Sequence, residues 1–313
     1  ALALDLVEMG RRFVGTITAE CSSDAPPADG TGGSAHRVMV VAGINSSGPA
    51  GDRGPTVDLD IAALGYHPDE GEVRWFSYAA DGGAYTAGDT HGDLHAAARR
   101  LYAQLQAMQR EEPGREVDLV AHSQGGVVVD AFLADYHADD PSLPPLGTVV
   151  TVSSPHEGAP LATAGEQIRG GLLGDDALDA VGDLVPGIPP PNGKSVQELS
   201  ERAAFIRAVQ RRGVPDHFDV TSIGASEDVV VPATNISLRG ASETVVAVNA
   251  LSEHHAVLQD SDGLRAMRAA LEGRAPPCVS VTTALRTAVA PVVISRVEHT
   301  LGDLAAAATG GDR

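Results

Sequence analysis

The chain has 313 residues, is 43% hydrophobic and carries a formal net charge of −20 at pH 7. Its length suits one large α/β domain or two small ones. An acidic field of this strength repels nucleic acid and anionic membrane surfaces and disfavours anionic substrates, so a nucleic-acid partner is not expected. No apolar run approaches the roughly 18–20 residues that a membrane-spanning helix needs.

The two ends of the chain differ in composition from its middle. Apolar residues recur at helical spacing over residues 1–17, and residues 22–34 are rich in Pro, Gly, Asp and Ser. We therefore predict an amphipathic helix and linker over 1–35, a compact domain over 36–275 and a C-terminal helical extension over 276–313. Because the sequence starts at Ala1, we expect a signal or anchor to have been removed and the protein to be secreted or otherwise extracytoplasmic.

Cys21 and Cys278 are the two cysteines of the chain. Two cysteines cannot form a zinc site by themselves. They flank the predicted compact domain, and we expect them to form a disulfide in an exported protein, with two unrelated buried thiols as the alternative.

Runs of β-branched residues alternate with helical patterns along the middle of the chain. Strands are predicted at 36–43, 73–78, 117–120, 148–152, 218–223 and 243–248, and helices at 89–110, after residue 123, at 195–211 and at 256–271. Thr90 and Asp93 have the spacing of a capping box for the first of these helices. Residues 159–193 hold scattered leucines, glycines and aspartates and predict a lid-like insertion. This order predicts an α/β fold with a doubly wound, mainly parallel sheet.

A sharp turn around Ser123 separates the strand at 117–120 from the helix that follows it. The sequence Ala121-His122-Ser123-Gln124-Gly125 places small residues two positions either side of the serine. A strand that reverses into a helix around one serine has no room for larger side chains at those positions, and it leaves the hydroxyl exposed above the sheet. We predict that Ser123 is a nucleophile; the alternative is a serine that merely caps a helix.

A nucleophilic serine needs a histidine base and a carboxylate that orients the base. The strand at 218–223 runs into a loop with Glu227 and Asp228, and the strand at 243–248 runs into a loop with His254 and His255. An acid and a histidine therefore follow the serine in the order that such a site needs. The pattern leaves open which member of each pair takes part.

Five segments together resemble one known family. They are VMVVAGI, AHSQGG, SSPHEGAP, the Asp-x-x-Val-Pro of Asp228 to Pro232 and the His-x-x-x-Leu-x-Asp of His254 to Asp260. From about residue 36 to residue 271 the chain resembles a bacterial α/β-hydrolase of the lipase/esterase kind, related to the GPI inositol-deacylase-like lipases. The resemblance implies an α/β-hydrolase fold.

The resemblance also assigns roles to individual residues. It implies that Ser123, Asp228 and His254 are the nucleophile, acid and base, and that the backbone N–H groups of Ile44 and Gln124 form the oxyanion hole. Two positions depart from the family pattern. The usual first glycine of the serine turn is Ala121, and the usual His-Gly after the first core strand is Ala42-Gly43.

We expect the other histidines to have structural roles. His91 and His95 are one helical turn apart, but Gly92 stands where a zinc protease needs a glutamate, so we expect a solvated helix start. We expect His122 to pack beside the sheet and His156 to shape the turn under the insertion. No loop has calcium-ligand spacing, and no metal or cofactor is expected.

These observations predict hydrolysis of carboxylic esters. The leucines of the insertion suit a cover over an apolar acyl site, and with the acidic surface they favour a neutral ester of medium or long chain. Peripheral contact with a lipid or polymer surface fits such a substrate. The alternatives are a thioesterase or small-ester esterase with the same triad, and a non-catalytic binding module on a hydrolase scaffold.

Overall fold

The computed structural model covers the central part of the chain. It describes residues 35–48, 59–135, 140–160, 162–163, 193–215, 218–226, 228, 230–248, 254–275 and 278. Several predicted features lie outside these residues: the terminal helices, the linker, Cys21 and nearly all of the lid. The lid and the disulfide therefore remain predictions. Within the described part, no helix is long and apolar enough to cross a membrane.

The described residues form a sheet of six parallel strands. The strands are β1 (Arg37–Val41), β2 (Val73–Trp75), β3 (Val117–His122), β4 (Leu146–Val152), β5 (Asp219–Ala225) and β6 (Ser242–Val246). Their order across the sheet is β2-β1-β3-β4-β5-β6. Each strand overlaps one of the predicted strands, and aliphatic or β-branched residues are most frequent in β1, β3 and β4. The predicted α/β class is therefore confirmed.

Helices cover both faces of this sheet, as a doubly wound fold requires. The helices are α1 (Leu94–Glu111), α2 (Gln124–Asp135), α3 (Lys194–Glu198), α4 (Ala204–Arg212) and α5 (Ser261–Leu271). Met39 and Val41 of β1 pack in a cluster with α1, α2 and α4, whereas Val38 and Val40 pack in a second cluster with α5. Successive side chains of a strand point to opposite faces, so both faces need an apolar layer.

The start of α1 differs from the prediction by one helical turn. The capping box is formed by Thr86 and Asp89 around a short 3-10 helix, Ala87–His91, and α1 itself is capped by Asp93, which accepts a hydrogen bond from the Ala96 N–H group at 2.8 Å. The expected pairing of Thr90 with Asp93 is wrong because Thr90 is buried and its hydroxyl donates to the Ala87 carbonyl.

Two predicted helices are each divided in the structure. The helix expected at 195–211 is separated into α3 and α4. The helix expected at 256–271 becomes a 3-10 turn, Ala256–Leu258, followed by α5. Asp260 ends the first helical turn because its side chain accepts the N–H groups of Asp262 and Gly263 as an N-cap. Residue 263 must be glycine, since a Cβ atom there would lie 2.0 Å from the Val257 carbonyl oxygen.

A buried contact between a histidine and a carboxylate connects α2 to the turn after β4. The His156 Nδ1 atom contacts the Asp130 carboxylate, and its Nε2 atom lies 2.8 Å from the Thr151 hydroxyl. All three residues are buried. The expectation that His156 shapes this turn agrees with these contacts, but its partner on α2 was not foreseen.

We expect His156→Ala to destabilise the fold by about 3–5 kcal/mol, because the Asp130 carboxylate would remain buried without its partner. Urea unfolding followed by circular dichroism measures this loss. The double variant Asp130→Leu, His156→Leu removes the stranded charge and should recover part of it. A loss under about 1 kcal/mol for His156→Ala would contradict this assignment of the pair.

Candidate active site

Four loops that carry expected site residues begin at the carboxyl ends of the parallel strands, on the same side of the sheet. The strands are parallel, so the segments that follow β1, β3, β5 and β6 all emerge at their carboxyl ends. These segments carry Ile44, Ser123, Asp228 and His254, respectively. The sheet thus collects residues that are far apart in sequence.

Ser123 occupies the turn between β3 and α2 in a strained conformation. Its φ angle is 54°, in the left-handed region that non-glycine residues rarely adopt. Its N–H group donates to the Val152 carbonyl at 2.9 Å, and its carbonyl accepts from Gly126 at 3.0 Å. The turn is therefore held both by the neighbouring strand β4 and by the first turn of the helix.

Glycines around Ser123 allow α2 to approach β1. A Cβ atom at Gly125 would lie 2.3 Å from the Val41 carbonyl oxygen, and one at Gly126 would lie 2.1 Å from the Ser154 hydroxyl. A Cβ atom at Gly43 would lie 2.7 Å from the Ser123 Cβ atom. The glycine predicted two positions after the serine is thus required by contact with the backbone of β1, whereas Gly126 and Gly43 leave room for the side chains of Ser154 and Ser123.

Asp228 and His254 are brought together after β5 and β6. The Asp228 Oδ2 atom lies 2.7 Å from the His254 Nδ1 atom, while Oδ1 accepts the N–H groups of Val230 and Val231, each at 2.9 Å. The carboxylate is buried, and both of its oxygen atoms have partners. Two backbone amides therefore fix the direction from which Asp228 meets the imidazole.

The other ring nitrogen of His254 is available. Within the described part of the chain, the buried His254 Nε2 atom has no hydrogen-bond partner. Since Nδ1 faces a carboxylate, the proton of the neutral ring is assigned to Nδ1, and Nε2 is then an acceptor. This is the state that a general base needs.

The ring of His254 lies within hydrogen-bonding distance of Asp228, and the next residue, His255, is exposed. His255 occupies the N-cap position of the following 3-10 helix, without a side-chain capping bond. Of the two candidate acids, Glu227 lies outside the described residues.

His122 connects this pair to the serine turn. Its ring centroid lies 4.8 Å from that of His254 and 5.0 Å from that of His255. Its Nε2 atom is 3.4 Å from the His254 carbonyl oxygen. His122 is buried, as expected, but its contact with both histidines was missed, although its position directly before Ser123 was a signal.

The two expected oxyanion donors belong to the serine turn and to the loop after β1, which meet at Ser123 and Gly43. Gln124 is the next residue in the chain, and its buried side chain donates to the Thr90 carbonyl at 2.9 Å. Ile44 follows Gly43, which contacts Ser123, and its side chain packs against the core. Sequence reasoning did not identify Thr90, which contacts both loops: its hydroxyl also accepts the Asn45 N–H group at 3.0 Å.

His91 and His95, one helical turn apart in the sequence, each contact a different part of the fold. The His91 Nε2 atom is 2.6 Å from the Asn45 Oδ1 atom, and the His95 ring packs edge-on against Phe205 with a centroid distance of 4.8 Å. His91 therefore belongs to the loop after β1, whereas His95 belongs to the packing of α1 against α4.

Comparisons with known proteins give structural likenesses of low identity. No protein-family model matches the sequence, and no curated protein matches it. The mature lipase BlEst2 of Bacillus licheniformis is similar, with 16% identity, coverage of 78% of this chain and 91% of that one, and a TM-score of 0.47. A metagenomic carboxyl esterase has 17% identity, coverage of 85% and 78%, and a TM-score of 0.44.

Phospholipase PlaB of Legionella pneumophila is also similar, with 15% identity and a TM-score of 0.43. The likeness covers 61% of this chain but spans only 39% of that protein. Likenesses at this level leave the chemistry of the chain to be inferred from its own residues.

The environment of His122 predicts a specific pH dependence of stability. Burial, with a further contribution from the His254 and His255 rings, lowers the pKa of His122 well below its ordinary value of 6.5. Below pH 6.5 the unfolded chain therefore binds a proton at this position that the folded chain does not. Stability falls with decreasing pH in this window, by at most about 1.4 kcal/mol per pH unit for one group.

We expect His122→Gln to remove this contribution. Urea unfolding at several pH values between neutrality and the acid range should show a smaller loss of stability on acidification for the variant than for wild type. Equal slopes for the two proteins would show that His122 takes up its proton in the folded state as readily as in the unfolded state.

Proposed function

We propose that the protein is a serine hydrolase that cleaves carboxylic esters, with Ser123 as nucleophile, His254 as base and Asp228 as the orienting acid. The observation that carries the proposal is the state of His254. Its Nδ1 atom is held by a buried carboxylate, its Nε2 atom has no hydrogen-bond partner among the described residues, and its ring lies beside His122, which precedes a strained serine. This is the division of roles that acyl transfer requires.

The reaction proceeds in two acyl-transfer steps. The Ser123 Oγ atom bonds to the acyl carbon while its proton passes to the His254 Nε2 atom. The bond from the acyl carbon to the alcohol oxygen then breaks, and Nε2 returns the proton to the departing alcohol. A water molecule repeats the sequence on the acyl-enzyme, releasing the carboxylic acid and restoring Ser123. Asp228 stabilises the imidazolium formed in each step.

The negative charge that develops on the acyl oxygen needs donors. We assign them to the backbone N–H groups of Gln124, which follows the serine in the chain, and of Ile44, which follows Gly43 in the loop beside it. Each such donor contributes roughly 3–4 kcal/mol to lowering the barrier. Gln124 is also the first residue of α2, where the helix dipole favours negative charge.

For the substrate we propose a neutral ester. A net charge of −20 opposes the approach of an anionic substrate and favours departure of a carboxylate product. A lipase or esterase related to the GPI inositol-deacylase-like lipases is the finer assignment that the sequence motifs support.

We expect Ser123→Ala and His254→Ala each to lower kcat/KM for p-nitrophenyl esters by several orders of magnitude, since each removes one member of the proton-transfer pair. His255→Ala is the matched control and should retain most of the activity, because the Asp228 carboxylate faces His254. A fluorophosphonate probe should label wild type at Ser123. An inactive His255→Ala variant beside an active His254→Ala variant would overturn the choice of base.

We also expect the enzyme to discriminate by substrate charge. At equal chain length, the p-nitrophenyl ester of butyric acid should have a higher kcat/KM than the anionic p-nitrophenyl monoester of succinic acid. The ratio of the two kcat/KM values should decrease between about 10 mM and about 500 mM salt, because the screening length falls from roughly 30 Å to a few Å. A ratio that does not depend on salt would assign the preference to local contacts instead of the overall field.

A further inference from the structure

The hydroxyl group of Ser46 connects the Gly43 carbonyl to Tyr85, which is far from it in the sequence. The Ser46 hydroxyl donates to the Gly43 carbonyl oxygen at 2.6 Å, and the Ser46 Oγ atom lies 3.0 Å from the Tyr85 hydroxyl. Tyr85 is buried and belongs to the segment before α1. The three groups form a relay, which we name the hydroxyl relay, that ends on the peptide between Gly43 and Ile44.

The direction of donation along the relay is determined. A serine hydroxyl has one proton, and that of Ser46 is used on the Gly43 carbonyl. The contact between the two hydroxyls therefore has Tyr85 as donor. Burial raises the pKa of Tyr85 to about 12, so its proton is present at neutral pH.

The relay fixes the orientation of the Ile44 amide. In a trans peptide the C=O and N–H bonds point in opposite directions, and the described residues contain no cis peptide. Holding the Gly43 carbonyl on the Ser46 side therefore directs the Ile44 N–H group to the other side of the loop. Gly43 itself contacts Ser123.

The neighbouring peptides of the loop are held in the same way. The Tyr78 hydroxyl donates to the Ala42 carbonyl at 2.6 Å, and the Asn45 N–H group donates to the Thr90 hydroxyl at 3.0 Å. Gly48 exchanges two backbone hydrogen bonds with Tyr85, which brings the tyrosine alongside the loop. With its neighbours engaged, the Ile44 amide has little freedom to rotate.

We propose that Ser46 and Tyr85 are positioning residues that aim the Ile44 N–H group at the oxyanion through the Gly43 carbonyl. The inference rests on the proposed function, because an oxyanion forms only if Ser123 attacks an acyl group. It adds two residues that act through the Gly43 carbonyl and not on the substrate directly. Their loss should weaken the stabilisation of the transition state by the Ile44 N–H group. Neither residue is marked by any sequence motif.

The test compares Ser46→Ala, Tyr85→Phe and the double variant. Removing a whole oxyanion donor lowers kcat by roughly 100- to 1,000-fold, so misdirecting one that remains should lower it by roughly 10- to 100-fold. KM should change little, because the donor acts mainly in the transition state. Tyr85→Phe should have a smaller effect, and the double variant should match Ser46→Ala, since Tyr85 acts only through Ser46.

The affinity for a boronate inhibitor is a second measurement. It would not change if the two residues had a purely structural role. A phenylboronic acid forms a tetrahedral anion on the serine, so its affinity should fall in parallel with kcat in Ser46→Ala. Ser46→Thr keeps the hydroxyl and should restore both quantities. Ser47→Ala, at the exposed neighbouring position, is the matched control and should behave as wild type.

The outcomes separate the relay from the proposed function. If wild type turns over esters while Ser46→Ala keeps its kcat and boronate affinity and only melts earlier, the relay is structural and the inference is overturned. Additive effects of Ser46→Ala and Tyr85→Phe would overturn the link between the two residues. If wild type neither cleaves esters nor binds the boronate, the proposed function fails and the inference fails with it.

Discussion

The close approach of α2 to β1 is the constraint on which the candidate site depends. A helix that begins one residue after a strand can meet the neighbouring strand only if its first turn has no side chain at the contact. Gly125 satisfies this condition, because even a methyl group there would collide with the Val41 carbonyl. The approach places Ser123 against Gly43 and thereby joins the serine turn to the loop after β1. The strained φ angle of Ser123 is the local cost of this geometry.

The parts of the fold that follow from local physics could be predicted. The central strands are rich in aliphatic and β-branched residues, and the alternation of Val38, Met39, Val40 and Val41 between two faces follows from the strand period. The serine turn was visible because glycine and alanine at fixed offsets have a steric cause. An acid and a histidine in loops after successive strands could be expected to meet, because parallel strands end at one edge.

The parts that depend on contacts between distant segments could not be predicted. Thr86 with Asp89 and Thr90 with Asp93 have the same spacing, and only the burial of Thr90 distinguishes them. The pattern of residues does not show which of His254 and His255 lies beside Asp228, whereas the structure places the His254 Nδ1 atom 2.7 Å from that carboxylate. Asp130 and His156 are 26 positions apart, and no periodic signal relates them. The sequence displays residue types, whereas these interactions depend on which side chains the fold brings within hydrogen-bonding distance.

The position of β6 at the edge of the sheet has a consequence for biosynthesis. His122 contacts the His254 carbonyl, 132 residues away in the chain, and His254 follows β6, which pairs only with β5 in the described sheet. On the ribosome, the segment with Ser123 emerges and can fold well before the segment with His254 exists. Until the last strand docks, the nascent polypeptide has the serine turn but not the contact between Asp228 and His254. On the proposed function, the edge strand therefore makes completion of folding a condition for the reactivity of Ser123.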